Sequence, residues 1–217
     1  VTDSARLRGP AVGDVQMIIA LHGHEDDPAL PDDRLTDLAT TECVVVRPRS
    51  AMTTDVGPVW FRSNENGPIE AEINASITQL ECDIADACTA RGLRRNQVVI
   101  GGYSQGGAIA LALALSRTNP PATTTGRAVD AFAGVYVVSG WLLHADTVRY
   151  DMPGFAASKT PVLVVHGIDD EVVAAQHGRS TARFLERNGV SVDYLELPGG
   201  HHLGSPAASA VSSWLNS

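Results

Sequence analysis

Residues 97–115 read Gln97-Val98-Val99-Ile100-Gly101-Gly102-Tyr103-Ser104-Gln105-Gly106-Gly107-Ala108-Ile109-Ala110-Leu111-Ala112-Leu113-Ala114-Leu115. A β-branched apolar run passes through a glycine-rich turn into a run of strong helix formers. The stretch therefore predicts a strand over 97–101 and a helix over 105–117. The turn between them, Gly102-Tyr103-Ser104-Gln105-Gly106, has the form Gly-x-Ser-x-Gly, a nucleophile elbow. A tight strand-to-helix turn lifts the serine oxygen out of the sheet and sets it at the positive end of the helix. Glycines at 102 and 106 keep side chains out of a place where strand and helix nearly touch. The string alone also fits an ordinary glycine-rich turn; the strand before it and the helix after it favour the elbow.

The same alternation runs outward from this point. Apolar runs at 17–21, 43–47, 132–138, 161–166 and 192–197 predict further strands. Most carry little polar alternation, as expected of strands covered on both faces. Helices are predicted over 68–91, 172–188 and 206–215. In the first of these, Ile69, Ile73, Ile77, Leu80, Ile84 and Cys88 fall on one stripe, with Cys82 opposite and Gly92 as the stop. No repeat, low-complexity tract or linker divides the chain. The expectation is one α/β domain over 1–217, with a mainly parallel central sheet flanked by helices and no large lid.

A serine needs a base to take its proton, and the base needs an orienting carboxylate. In an open parallel sheet such groups sit beyond the carboxyl ends of the strands, here in chain order serine, acid, histidine. The strand at 161–166 is followed by Gly167-Ile168-Asp169-Asp170-Glu171, which offers three carboxylates, some suited to capping the next helix. The strand at 192–197 is followed by Pro198-Gly199-Gly200-His201-His202, which offers two imidazoles. Two backbone donors are also needed for a tetrahedral intermediate. One is the amide of Gln105; the other belongs to the loop after the first strand, Leu21-His22-Gly23-His24-Glu25-Asp26-Asp27. Its histidines and acids do not have the spacing of a helical metal site. Asp26, Asp27, Asp32 and Asp33 read as caps and turns, and neither metal nor cofactor is expected. Ser139 ends a strand and precedes Gly140, but no apolar helix follows it, so it reads as a polar residue at a strand end.

Composition narrows the partners. At 44% apolar and 19% charged residues the 217-residue chain is an ordinary folded one, not a disordered one. A net charge of −9 disfavours nucleic acid and anionic membrane surfaces. No apolar run is long enough to cross a bilayer, so integral membrane association is not expected. The polar start, Val1 to Arg6, lacks a secretory apolar core, and three cysteines make a poor disulfide set. A cytoplasmic protein with reduced thiols is the simpler expectation, while a signal already removed stays compatible. A homodimer stays open.

With these motifs in hand, the chain resembles the phospholipase/carboxylesterase family of serine hydrolases, which includes the acyl-protein thioesterases. Leu21-His22-Gly23, Gly102 to Gly107, His166-Gly167 followed by Asp170 and Val172-Val173, and Gly200-His201 carry the resemblance. Trp60-Phe61 and Val138-Ser139-Gly140-Trp141-Leu142 add to it. It covers roughly residues 18–201. The resemblance implies an α/β-hydrolase fold, Asp170 as the acid, His201 as the base and the amide of His24 as the second oxyanion donor. Glu25 departs from the family, which often has glycine there. The implied activity is hydrolysis of carboxylic esters through Ser104, His201 and Asp170 and an acyl-enzyme. Thioester or lysophospholipid cleavage is the alternative, and a non-catalytic ligand-binding domain is a third. The rate is expected to rise with pH through roughly 6.5–7. The partner is a small-molecule ester of small or medium acyl length. Trp60, Phe61, Trp141 and Leu142, in long loops near the elbow, are the candidate acyl contacts, although apolar loop residues also commonly pack inward.

Overall fold

A computed structural model describes residues 7–11, 14–29, 38, 43–116, 131–144, 148–202 and 204–217. Asp32, Asp33, residues 1–6 and the last residue of the helix expected over 105–117 lie outside the described residues.

Among the described residues six strands form one sheet: β1 (Met17–Leu21), β2 (Val44–Val46), β7 (Val98–Tyr103), β8 (Gly134–Val138), β9 (Val162–Gly167) and β10 (Val192–Leu197). Their order is β10-β9-β8-β7-β1-β2, and each neighbouring pair is parallel. Among the described residues, none between β1 and β2 adds a strand to this sheet. After β2 the chain returns through two small antiparallel pairs, β3 (Met52–Thr53) with β4 (Pro58–Val59) and β5 (Ser63–Asn64) with β6 (Gly67–Pro68). Helix α1 (Glu70–Arg91) then carries it to β7, on the other side of β1. The direction of winding therefore reverses between β1 and β7, and the loops leaving these two strands border the crevice where such folds bind ligands.

Alternation along the strands feeds two cores. Met17, Ile19, Leu21, Val98, Ile100, Val135, Val137, Val162 and Val164 face α1, α2 (Gln105–Leu115), α3 (Met152–Ser158) and α4 (Ala175–Arg187). Ile18, Ala20, Val99, Val138, Leu163 and Val165 face Val211 and Trp214 of α5 (Gly204–Leu215). Helix α1 buries Ile73, Ile77, Leu80, Ile84 and Cys88 of the expected stripe, while Ile69 precedes the helix and is half-buried; Cys82 is exposed. Helix α2 is buried all round, which accounts for its uniformly apolar sequence.

Element boundaries lie within three residues of expectation, and some of the differences have a clear local cause. Strand β7 continues to Tyr103, because Gly101 and Gly102 keep their pairing with Ala20 and Leu21 of β1 and with Tyr136 and Val137 of β8. Helix α4 starts at Ala175 rather than 172, because Asp170 and its neighbours form a turn before it. Helix α3 was not expected; Asp151 caps it by accepting from the amide of Gly154. No helix among the described residues is long and apolar enough to cross a membrane.

Candidate functional site

Ser104 is the single residue between β7 and α2, with φ 52 and ψ −119. The elbow is sharp because α2 and the end of β1 touch backbone to backbone. A Cβ on Gly106 would lie 2.3 Å from the carbonyl oxygen of His22, and one on Gly102 would lie 2.7 Å from the carbonyl carbon of Gly106. The turn is thus closed by atoms that cannot rotate away. Gln105 opens α2, so its N–H belongs to the first turn, whose amides have no partner within the helix.

His201 Nε2 stands 3.0 Å from Ser104 Oγ, and His201 Nδ1 stands 2.8 Å from Asp170 Oδ2. The other carboxylate oxygen, Oδ1, accepts from the amides of Val172 (2.9 Å) and Val173 (2.8 Å). Of the three acids after β9, Asp170 is buried, while Asp169 and Glu171 are exposed. Burial alone would raise the Asp170 carboxyl. The hydrogen bonds from His201 and from the amides of Val173 and Val172 outweigh it and hold the group below its ordinary value. A carboxylate facing Nδ1 fixes the tautomer that leaves Nε2 able to accept a proton from the serine.

The histidine loop is tied at several points. Ser139, the alternative nucleophile in the sequence, is fully buried and donates its hydroxyl to the carbonyl oxygen of His201 at 3.0 Å. Its φ of 49 shows the bend the chain makes to reach it. His202 is exposed, and its Nδ1 lies 2.8 Å from the Tyr103 hydroxyl, next to the elbow serine. Ile168 N donates to Leu197 O and Asp169 N to Gly199 O, joining the acid and histidine loops. Behind Asp170, the buried His166 donates Nε2–H to Val173 O at 2.7 Å, with Asp170 Oδ2 at 3.3 Å. The chain itself gives no sign of these ties, which join residues far apart in sequence.

The loop after β1 lies beside the elbow. His22 is buried, with Nδ1 2.7 Å from Gly23 O and Nε2 accepting from Ser50 N at 3.2 Å. Burial pushes its pKa down, against the opposing effect of the Gly23 carbonyl. Both ring nitrogens are engaged, so His22 is not arranged as a metal ligand. Among the described residues no group of three His, Cys, Asp or Glu side chains is placed to hold a metal ion. Glu25 has φ 62, a conformation glycine adopts more readily. Its carboxylate accepts from Thr54 Oγ1 at 2.5 Å and lies 3.6 Å from Nδ1 of the exposed His24.

The four candidate acyl contacts divide. Trp141 and Leu142 are half-buried, and Trp141 meets Phe61 edge-on at 6.4 Å. Trp60 and Phe61 are 1% and 2% exposed, which corrects the expectation that their rings present surface to a substrate. The ring of Trp60 stacks on His22 instead, and Phe61 belongs to the main core. Apolar loop residues here pack inward because the loop is itself pinned by hydrogen bonds to the elbow.

A family model described as phospholipase/carboxylesterase matches residues 4–216. Lysophospholipase-like protein 1 of Mus musculus is 28% identical over 173 residues, covering 78% of this chain and 68% of that protein. Carboxylesterase SOBER1 of Arabidopsis thaliana is 34% identical over 133 residues, covering 61% of this chain and 53% of its own length. The chain thus matches about half of that curated plant relative. The crystal structure of SOBER1 superposes with a TM-score of 0.73 and 25% identity, covering 92% of this chain and 97% of that one.

Proposed function

The chain belongs to the phospholipase/carboxylesterase family of α/β-hydrolases, and from that premise we propose that it is a serine-dependent carboxylic ester hydrolase. The observation that carries the reading is the continuous relay Asp170 Oδ2, His201, Ser104 Oγ, with links of 2.8 and 3.0 Å. Ser104 Oγ attacks the acyl carbon as its proton passes to His201 Nε2. The carbonyl π pair moves to oxygen, and the amides of Gln105 and His24 hold the resulting oxyanion. The C–O bond to the alcohol breaks as His201 gives its proton to the leaving oxygen. Water, deprotonated by the same imidazole, then releases the acid and restores the serine. Each oxyanion donor contributes about 2.7–4 kcal/mol in comparable sites.

The substrate is a small or medium acyl ester held against Trp141 and Leu142. The same relay would cleave a thioester, whose thiolate leaves more readily than an alkoxide, and the names of the relatives keep lysophospholipids in view. Rates on p-nitrophenyl acetate, butyrate, octanoate and palmitate decide chain length. The expected result is activity that falls steeply before palmitate and vanishes in Ser104→Ala. Equal rates across the series would contradict the small acyl site, and full activity of Ser104→Ala would contradict the mechanism.

A further inference from the structure

We propose that Trp60 is a positioning residue for the oxyanion pocket, the centre of a brace that sets the spacing between the amides of Gln105 and His24. The proposal rests on the reading of those two amides as the oxyanion donors. They come from loops 81 residues apart in the chain, so their separation has to be enforced by something that touches both. Residues 58–61 do so through four hydrogen bonds. On the elbow side, the backbone N–H of Trp60 donates to Gln105 Oε1 at 2.8 Å, and Gln105 Nε2 donates to Phe61 O at 2.7 Å. The side-chain amide of Gln105 thereby locks the residue whose backbone N–H opens the helix. On the other side, Trp60 Nε1 donates to His22 O at 2.9 Å, and the amide of Glu25 donates to Pro58 O at 2.8 Å. His24 lies between these two fixed points.

The brace is itself immobilised. The indole stacks on the His22 ring at 4.6 Å and 24°, and the buried Ser76 of α1 donates its hydroxyl to Trp60 O at 2.5 Å. Trp60, Phe61, Gln105, His22 and Ser76 are all buried, so these bonds do not compete with water. A preorganised pair of donors is worth most when it needs no rearrangement as charge develops, and misplacement by about 1 Å can lower a rate by about 100-fold.

Trp60→Phe tests this directly. It keeps a ring on His22 and the backbone bond to Gln105 but removes the Nε1–H donor. Kinetics on p-nitrophenyl butyrate are normalised to active sites titrated with a fluorophosphonate. We expect kcat per titrated site to fall about tenfold or more, with KM within about twofold and the acidic limb of the pH profile unmoved. The affinity of a trifluoromethyl ketone, which forms a tetrahedral oxyanion on the serine, should fall by the same factor. A merely structural role would lower the number of titratable sites and leave kcat per site intact. Gln105→Met, which removes both side-chain amide bonds at similar length, should give the same signature and serves if Trp60→Phe does not fold. Wild-type kcat per site in a folded variant, or a loss confined to KM, would overturn the brace. A wild-type protein that neither hydrolyses the ester nor takes up the probe would instead overturn the hydrolase reading and remove the basis of the brace.

Discussion

Ser104 holds φ 52 and ψ −119, a region where a residue with a side chain stores about 1–3 kcal/mol. The surrounding backbone enforces it: Ser104 N donates to Val138 O and Ser104 O accepts from Ala108 N. This strained conformation holds the hydroxyl out of the sheet, where His201 Nε2 stands 3.0 Å from it. His22 shows the opposite case, a titratable side chain used as a fixed neutral strut. Its folded pKa is depressed by burial below the ordinary 6.5. As pH falls below about 6.5 the unfolded chain takes up a proton there while the native chain does not, so stability from His22 is full above that value and drains away below it. The stability difference between wild type and His22→Gln, from urea denaturation, should therefore be largest near pH 7.5 and shrink toward pH 5. A difference that stays constant with pH would contradict this account of His22. Asp170, also depressed, adds a loss of stability at more acidic pH, as protons bind below the ordinary carboxylate value of 3.8.

At the scale of elements, the contact between α2 and the end of β1 is what aligns the two loops proposed to hold the oxyanion. It depends on Gly106, where a Cβ would meet His22 O at 2.3 Å and Leu21 O at 2.5 Å. Backbone atoms in a paired strand cannot step aside. Gly106→Ala should lower stability by about 1–3 kcal/mol in a denaturant titration and depress esterase activity with it; an unchanged midpoint would mean that strand and helix have more freedom than this packing implies. The sheet was legible in the sequence because runs such as Val98-Val99-Ile100 and Val162-Leu163-Val164-Val165 admit few other readings when both faces are covered. The two-residue strands β3 to β6 were not legible, being too short to carry a period. Helix α3 was hidden by its Met152-Pro153-Gly154 start, which reads as a loop until the Asp151 cap is seen. At the site, the chain order of Ser104, the acids after β9 and the histidines after β10 could be read directly. The choice of Asp170 over Asp169 and Glu171 came from family resemblance, because burial separates them and local sequence does not. For Trp60 the sequence leaves acyl contact and inward packing both open, because an apolar residue in a loop does not announce which side it faces; its 1% exposure decides for inward packing.

For the whole molecule, one topological fact organises the rest. The chain reverses its winding between β1 and β7, so the loop carrying His24 and the elbow carrying Ser104 leave adjacent strands, and β8, β9 and β10 then bring Ser139, Asp170 and His201 in from one side. The carboxyl edge of a single sheet thus gathers Ser104, His201 and Asp170, the proposed nucleophile, base and acid, with the two amides proposed to hold the oxyanion. The negative net charge of −9 leaves such a site suited to neutral esters over polyanionic partners. The claim on which all of this turns is that Ser104 is an activated nucleophile. Intact-protein and peptide mass spectrometry after treatment with a fluorophosphonate tests it most directly. One adduct is expected, on the peptide bearing Ser104, absent from Ser104→Ala and formed far more slowly in a folded His201→Ala variant. A folded wild-type protein that stays unmodified, or one modified at another serine with Ser104 intact, would contradict it.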